Sequence, residues 1–252
     1  MHLILTGATG LVGSAVLEAM IKAKDVTKIS VISRRPIPQA DDAKSPKVNV
    51  IIHRDFNQYN ASLLQQLTGA QGCVWALGIS QTQVGKEEYT KITKDYALNA
   101  AESFATLSEA DKPFRFIYVS GEGATQNPGR FSAIFARVKG ETEQALANLT
   151  EKSNGALQAD SVRIGAVDAS QHDSIKPYIP DKGFVYNAAT PLLFSVIRGL
   201  MADRHSPTPM IGSFLTEMAL GAKDSSLQSS GAFRLGPSWI VPNVAIRKAM
   251  GV

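Results

Sequence analysis

The chain has 252 residues, of which 44% are hydrophobic and 19% are charged, and its formal net charge at pH 7 is +4. These values exclude a disordered or fibrous chain and predict one globular domain with a sizeable core. The positive excess is scattered without a basic run, which argues against nucleic acid as a partner.

Composition excludes several further kinds of site. Cys73 is the single cysteine, so no disulfide is expected within the chain. The four histidines lack metal-ligand spacing, and we predict no metal site. No run of about eighteen apolar residues predicts a membrane span. The sequence opens on a strand without a charged leader, and we therefore predict a cytoplasmic protein.

The first predicted element is a buried strand that ends in a glycine-rich turn. Apolar residues 3–5 precede the sequence TGATGLVG (6–13), and apolar residues of helical period follow it. In such a turn, Gly7 permits the bend, Gly10 leaves room for a pyrophosphate, and Gly13 lets the helix lie close to the sheet. The helix N-terminus offers N–H groups to the phosphates. The pattern predicts a dinucleotide site formed by Gly7, Thr9, Gly10, Leu11, Val12 and Gly13.

The second predicted strand, 28–33, carries the feature that selects the cofactor. Dehydrogenases that prefer NAD place an acidic residue at its end, to bind the ribose hydroxyl. Here the end is Ser33-Arg34-Arg35, and guanidinium groups suit a 2′-phosphate. We therefore predict NADP(H), bound by Ser33, Arg34 and Arg35. The alternative is a solvated arginine pair at a strand end.

Two more strands are predicted at 48–52 and 72–76. Asp55 and Phe56 follow the first of them, where Asp55 either binds the adenine amine or only forms a turn. Ala76, Leu77 and Gly78 lie at the end of the second, at the edge where a doubly wound sheet binds its ligand. We predict cofactor contacts from the residues at both strand ends: Asp55, Phe56, Ala76, Leu77 and Gly78.

The following pattern continues the alternation of strands and helices. A long amphipathic helix is predicted at 87–107, strand five at 114–119, a further helix at 130–149, and strand six at 162–167. Six such alternations predict an α/β fold, with a doubly wound Rossmann-type parallel sheet and helices on both faces.

We expect a single domain, 1–252. Its Rossmann core is predicted at 1–167. The tail, 168–252, is richer in proline and less periodic, and we predict that it is mostly a small C-terminal substrate lobe with elements that close the fold.

Together these motifs resemble the atypical short-chain dehydrogenase/reductases, and among them the Tat-interacting-protein-like oxidoreductase group. The matching pieces are TGATGLVG (6–13), the arginine pair, ALG (76–78), VSGEGA (119–124), VKGETE (138–143), RIG (163–165) and HSPTPMIGSFLTEMAL (205–220). The resemblance implies an NADP(H) cofactor that also contacts Lys139 and Ile164, and a small-molecule substrate. Homodimers are common in that superfamily, so a homodimer is left open.

The family's chemistry uses a Tyr-x-x-x-Lys pair on the helix after strand five and a hydroxyl at the end of that strand. The lysine here is Lys139, but the residue four before it is Phe135, which has no proton to give. Ser120 begins the turn, and Glu122 stands where the family places the hydroxyl. The catalytic candidates that the resemblance implies are Lys139, Ser120, Glu122 and Arg130.

Three functions follow from this departure. The first is a reductase whose proton comes from water, Glu122, Tyr178 or Tyr186. The second is a non-redox isomerase, cyclase or dehydratase in which Arg130, Glu122 or Lys139 polarises the substrate. The third is an NADP(H)-sensing regulatory protein without catalysis. We favour the reductase, because redox chemistry is the commonest activity of the superfamily.

Overall fold

The computed structural model describes residues 1–109, 112–180, 194, 197, 199 and 201–252. Within these residues the main sheet has eight strands: β1 (His2–Thr6), β2 (Lys28–Ser33), β3 (Val48–Ile52), β4 (Ala70–Trp75), β5 (Phe114–Gly121), β6 (Leu157–Ile164), β9 (Phe233–Leu235) and β10 (Ser238–Val241). Their order is β3-β2-β1-β4-β5-β6-β10-β9, and only the β9–β10 pair is antiparallel. Two short parallel strands, β7 (Ala166–Asp168) and β8 (His205–Pro207), form a separate sheet.

The helices that cover the sheet are α1 (Leu11–Lys22), α2 (Pro38–Ala43), α3 (Ala61–Gln66), α4 (Lys86–Thr90), α5 (Tyr96–Ala105), α6 (Ile134–Lys152), α7 (Thr208–Leu220), α8 (Asp224–Ser230) and α9 (Asn243–Ala249). A π-helical turn, Lys91–Asp95, joins α4 to α5. Single 3₁₀ segments lie at Asp173–Tyr178 and Ala202–Arg204. No helix among the described residues combines the length and apolar composition needed to cross a bilayer.

The sheet is buried on both faces, as a parallel sheet between helices must be. Every residue of β1 is buried. Because strand side chains alternate between faces, Leu3 and Leu5 pack into one hydrophobic cluster with α1, α7 and α9. Ile4 packs into the other cluster with Phe104 of α5 and Leu146 of α6. The predicted doubly wound α/β fold is confirmed.

The elements near residue 208 and beyond complete this core. Ile211, Phe214 and Leu215 of α7 are fully buried in the cluster that contains α1. Strand β10 pairs in parallel with β6, and β9 then turns back along its outer side. The extent of a substrate lobe before residue 208 stays a prediction.

Two predicted boundaries were wrong for physical reasons. Strand β6 begins at Leu157 rather than 162, because its first half contains a buried polar residue, Asp160, whose carboxylate accepts hydrogen bonds from the Trp239 N–H and from the Gln158 side chain. Helix α6 begins at Ile134 rather than 130. There the Gln81 side chain accepts a hydrogen bond from the Phe135 N–H at 2.9 Å and so caps the helix.

Two other strands were displaced by smaller amounts. β4 spans Ala70–Trp75 rather than 72–76, and β5 extends to Gly121 rather than 119. Both follow from pairing: β4 also pairs at its first residue with β1, and β5 stays paired with β6 through its last residue.

Candidate active site

The turn after β1 has the geometry that its glycines predict. Gly7 has φ +73°, and a Cβ there would lie 2.3 Å from the carbonyl oxygen of Ala76. A Cβ at Gly13 would lie 2.1 Å from the carbonyl oxygen of Gly7. Gly13 therefore packs closely against the turn itself. The prediction that it allows the helix to approach the sheet named the wrong neighbour.

The N-terminus of α1 opens onto a cleft. Gly10 is the N-cap residue, so no side chain accepts from the first N–H groups, and no acidic residue lies in the first turn. Gly10 also lines two adjoining cavities. Uncovered N–H groups at a helix N-terminus, beside a residue without a side chain, fit a pyrophosphate.

The first cavity, of about 620 Å³, lies beyond the ends of β1, β2 and β4. Three arginines line it: Arg34, Arg35 and Arg54. None of the three has an ion-pair partner among the described residues. Predicted cofactor residues brought to this cavity are Gly7, Thr9, Gly10, Ser33, Arg34, Arg35, Phe56, Ala76, Leu77 and Gly78.

Arg54 lines this cavity but was not among the residues predicted from the sequence. Its signal was strand register: β3 pairs with β2 through Ile52 and Ser33, and the His53 N–H donates to the Ser33 carbonyl oxygen at 2.8 Å. That pairing carries the residue after His53 to the same edge as Arg34. A third cation at the predicted 2′-phosphate end strengthens the fit to a phosphorylated nucleotide.

Asp55 and Phe56 have different surroundings. The Asp55 carboxylate accepts hydrogen bonds from the Asn57 side chain at 2.7 Å and from the Asn57 N–H at 3.0 Å, and these bonds lower the pKa of Asp55. This is the turn-forming alternative, and the adenine contact stays a prediction. Phe56 is buried, with its ring centroid 6.0 Å from that of Trp75.

The second and third cavities continue the cleft towards the predicted catalytic residues. The second, about 960 Å³, extends from Gly10, Leu11 and Val12 to Lys139. The third, about 490 Å³, lies beyond Lys139. The first and second cavities share Gly10, Ala76, Leu77, Gly78 and Pro180. The second and third share Ser120, Lys139 and Ile164.

Lys139 lies at the junction of the last two cavities. Its Nζ donates to the Val119 carbonyl oxygen at 3.0 Å and lies 5.5 Å from the centroid of the Tyr118 ring. Burial lowers the pKa of Lys139 to about 8, against the opposing effect of the Glu143 charge. Desolvation therefore brings the pKa of this ammonium closer to neutral pH than that of a solvated lysine.

Ser120 belongs to a buried ionic network. Its hydroxyl donates to Oε1 of Glu143 at 2.6 Å. Glu143 is fully buried and also accepts from Arg163, at 2.9 Å from Nε and 2.6 Å from Nη2, and from the Gln126 side chain at 2.5 Å. This network could not be predicted from the sequence, because Glu143 and Arg163 resemble surface charges until α6 and β6 are packed together.

Of the remaining catalytic candidates, Glu122 lies beside Lys139 and Arg130 does not. Glu122 and Phe135 line the third cavity beside Lys139. The Glu122 carboxylate accepts a hydrogen bond from the Asn243 N–H at 2.6 Å. Arg130 is exposed in the loop before α6 and does not line any of the three cavities, so it is not brought to the other candidates.

Tyr178, one of the two tail tyrosines considered as proton donors, does not line the junction. The Tyr178 hydroxyl donates to the Asp42 carboxylate at 2.8 Å, on the side of the cleft near α2. Tyr186 lies outside the described residues. Among the described residues, no group of three or more His, Cys, Asp or Glu side chains could hold a metal ion.

Comparison with known proteins finds relatives in fungi. No family model matches the sequence. Botcinic acid biosynthesis cluster B protein 16 of Botryotinia fuckeliana is 40% identical over 157 residues, which cover 62% of this chain and 99% of that protein. Leucinostatins biosynthesis cluster protein T of Purpureocillium lilacinum is 36% identical over 196 residues, 71% of this chain and 70% of that protein. Mitochondrial protein fmp52 of Emericella nidulans is 30% identical over 149 residues, 59% of this chain and 61% of that protein.

Solved structures share the fold at low sequence identity. The Pseudomonas aeruginosa RhlG/NADP active-site complex has a TM-score of 0.65 at 12% identity, over 96% of this chain and 93% of that one. A Saccharomyces cerevisiae short chain dehydrogenase/reductase has a TM-score of 0.61 at 12% identity, over 87% and 90%. A Methanobrevibacter ruminantium UDP-N-acetylglucosamine 4-epimerase has a TM-score of 0.59 at 15% identity, over 87% and 73%. The fold is thus common to reductases and epimerases, and it does not by itself distinguish the two activities.

Proposed function

Since the chain belongs to the family of botcinic acid biosynthesis cluster B protein 16 and leucinostatins biosynthesis cluster protein T, we propose that it is an NADP(H)-dependent atypical short-chain dehydrogenase/reductase. Its substrate is a small organic molecule of a biosynthetic route, as the relatives' names suggest. The observation that carries the proposal is the cleft that joins three arginines, the glycine turn and Lys139. Within the superfamily we place it with the Tat-interacting-protein-like group, with Phe135 in the position of the catalytic tyrosine.

Different residues of the cleft bind different parts of the cofactor. Arg34, Arg35 and Arg54 take the 2′-phosphate, because guanidinium groups bind phosphate through paired N–H donors. The N-terminus of α1 at Gly10 takes the pyrophosphate. Lys139 and Ile164 lie at the nicotinamide end. When bound, NADPH supplies the hydride, and the chain supplies orientation, exclusion of water and the proton.

Calorimetric titration tests the cofactor site first. Purified protein is titrated with NADPH, NADP+, NADH and NAD+ under identical conditions. We expect tight binding of the phosphorylated pair only. Failure of all four to bind would show that the fold is retained without its cofactor and would contradict the proposal.

A paired substitution tests the role of the arginines. Arg34→Asp with Arg35→Ala removes two donors, each worth about 1.5–3 kcal/mol when it bonds a charged group. We expect NADPH affinity to fall by at least about a hundredfold, while NADH affinity changes little. Arg130→Ala is the matched control, since that arginine is exposed outside the cavities. Equal losses for the two cofactors would show that the pair does not recognise the phosphate.

The third cavity supports an apolar substrate. Its lining includes Phe135, Ile164, Ile197 and Met201. A panel of ketones, aldehydes, enones and imines, each followed by the decrease in NADPH absorbance, tests reductase activity. No oxidation of bound NADPH by any of them would contradict the reductase proposal.

The position of Phe135 supports two other candidates. The phenyl ring of Phe135, which has no hydroxyl group to donate a proton, lines the third cavity. It lies one turn before Lys139, where the resemblance implies a tyrosine. A non-redox isomerase, cyclase or dehydratase predicts turnover without net consumption of NADPH. A sensor predicts no turnover and a partner protein that binds the NADP+ and NADPH forms with different affinity, because only a discriminating ligand shifts an equilibrium.

Compartment and assembly are two separate questions: we propose the cytosol for the first, and a homodimer is left open for the second. Fluorescence of a tagged full-length protein tests the first proposal, since fmp52 relatives carry the word mitochondrial in their names. Sedimentation of the purified protein tests the second.

A further inference from the structure

The junction of the second and third cavities limits which groups can reach a reacting atom. Three residues line both cavities: Ser120, Lys139 and Ile164. Ile164 is apolar, so two side chains at this junction carry polar atoms. Any proton given by a side chain that borders both cavities, within the described residues, comes from Ser120 or Lys139.

The hydroxyl proton of Ser120 is already used in a hydrogen bond to Glu143. A serine hydroxyl has a single O–H, and this one points at Oε1 of Glu143 at 2.6 Å. Glu143 cannot turn away, because it is fully buried and is also held by Arg163 and Gln126. Ser120 therefore presents lone pairs to the cleft and acts there as an acceptor.

The other polar groups of the third cavity are less well placed to give a proton at the junction. Glu122 lines the third cavity but not the second, and its Oε1 accepts a hydrogen bond from the Asn243 N–H at 2.6 Å. Arg204 lines this cavity, but a guanidinium does not release its proton in proteins. Phe135 has none. Lys139 carries three N–H donors and uses one on the Val119 carbonyl oxygen, which leaves two for the cleft.

On the basis of the proposed reductase function, we propose that the Lys139 ammonium is the general acid of this protein and protonates the substrate oxygen directly. The carbonyl carbon accepts the hydride of NADPH, and the electron pair of the C=O π bond moves to the oxygen. The oxygen takes a proton from Nζ. The products are an alcohol, NADP+ and a neutral lysine amine, which recovers a proton from water.

The groups around Lys139 are consistent with this role. Those that face it are Glu143 on α6, Tyr118 on β5, Glu122 after β5, Arg163 on β6, and, across the cavities, Asp168, Lys176 and Arg204. Arg163 neutralises Glu143 by a paired contact, so the carboxylate raises the pKa of Lys139 less than burial lowers it. The resulting pKa of about 8 lies near the operating pH, where a general acid is most effective.

A pH profile of the intact protein tests the assignment. NADPH oxidation is measured from about pH 6 to about pH 10, which brackets the pKa of about 8, with phenanthrenequinone, benzaldehyde and cyclohexenone as apolar probes. We expect kcat/KM to fall above a pH of about 8 as the ammonium is lost. Lys139→Arg should lose about a hundredfold or more in kcat and lack this decline, because arginine keeps its charge but not a transferable proton.

Two further measurements separate an acid from a lysine that only positions the ribose. NMR titration of protein carrying ¹³C-labelled lysine should show one resonance with a midpoint near 8, absent in Lys139→Arg. Lys152→Arg, an exposed change on the same helix, should keep the resonance and the pH profile. NADPH affinity of Lys139→Arg, from calorimetry, should stay within about tenfold of the unmodified protein, since the charge is kept.

Each outcome decides between the two claims. Normal NADPH affinity with unchanged kcat, or with the same pH decline, in Lys139→Arg would overturn the acid role and leave the cofactor site intact. Normal NADPH affinity without oxidation by any probe would contradict the reductase function and the acid role together. A protein that binds no nicotinamide cofactor would contradict the proposed function on which this inference rests.

Discussion

The buried pair of Glu143 and Arg163 allows a sharp test of the network that holds Ser120. Glu143 has no exposed surface, and the Arg163 side chain is 13% exposed. Replacing Arg163 with Met keeps much of the side-chain volume but removes the two guanidinium hydrogen bonds. The carboxylate then stays in the core with only Ser120 and Gln126 as donors.

An uncompensated buried charge sets the expected magnitude. Breaking such a pair from one side costs about 3–5 kcal/mol, whereas replacing both partners by apolar residues is often close to neutral. We therefore expect Arg163→Met to lower the free energy of unfolding by about 3–5 kcal/mol. For a chain of this length the melting temperature falls by about 2 °C per kcal/mol, which predicts a decrease of about 6–10 °C. Adding Glu143→Met should recover at least half of the loss.

Urea unfolding followed by tryptophan fluorescence measures all four proteins of the cycle. The coupling between the two sites should be at least about 2 kcal/mol, as expected for residues in one network. Arg130→Met, at an exposed site, is the control and should change stability by less than about 0.5 kcal/mol. An Arg163→Met protein within about 1 kcal/mol of the parent, or a double variant as unstable as the single one, would refute the reasoning.

Three other predictions concern separate parts of the molecule. Arg54→Ala should weaken NADPH by about tenfold or more in calorimetry and leave NADH unchanged, because it removes one charged donor at the phosphate end; an equal effect on both would contradict its assignment. Gly7→Ala should cost at least about 2 kcal/mol in urea unfolding, since the residue has φ +73° and the new Cβ would meet the Ala76 carbonyl, and a parent-like stability would contradict the turn geometry. Burial, with the Lys28 charge, lowers the pKa of His2 from 6.5 to about 4, so the unfolded chain takes up this proton first and the free energy of unfolding should fall as pH drops from 6.5 towards 4. His2→Gln should lessen that fall in unfolding curves at about pH 7 and about pH 4.5, which lie above the window and near its acid end, and identical slopes would exclude His2 as the source.

Local patterns predicted most of the framework because they report on local physics. The run at 3–5, the glycines at 7, 10 and 13, and the helical period after them each specify a conformation within a few residues. Asp160 is a residue for which prediction from local patterns fails. It is buried in β6 because its carboxylate accepts hydrogen bonds from Gln158 on the same strand and from Trp239, which is distant in sequence. No pattern within β6 contains that information.

The sequence by itself determined the order of strands and helices, the glycine turn, the arginine pair and the presence of phenylalanine four residues before Lys139, because all of these are properties of adjacent residues. Tertiary structure alone decided the rest of the site. Strand register brought Arg54 to the arginine pair. Packing of α6 against β6 buried Glu143 with Arg163 and turned the proton of Ser120 away from the cleft. The physical reason is that burial and hydrogen-bond direction depend on residues far apart in the chain, which come together only when the sheet and its helices have assembled.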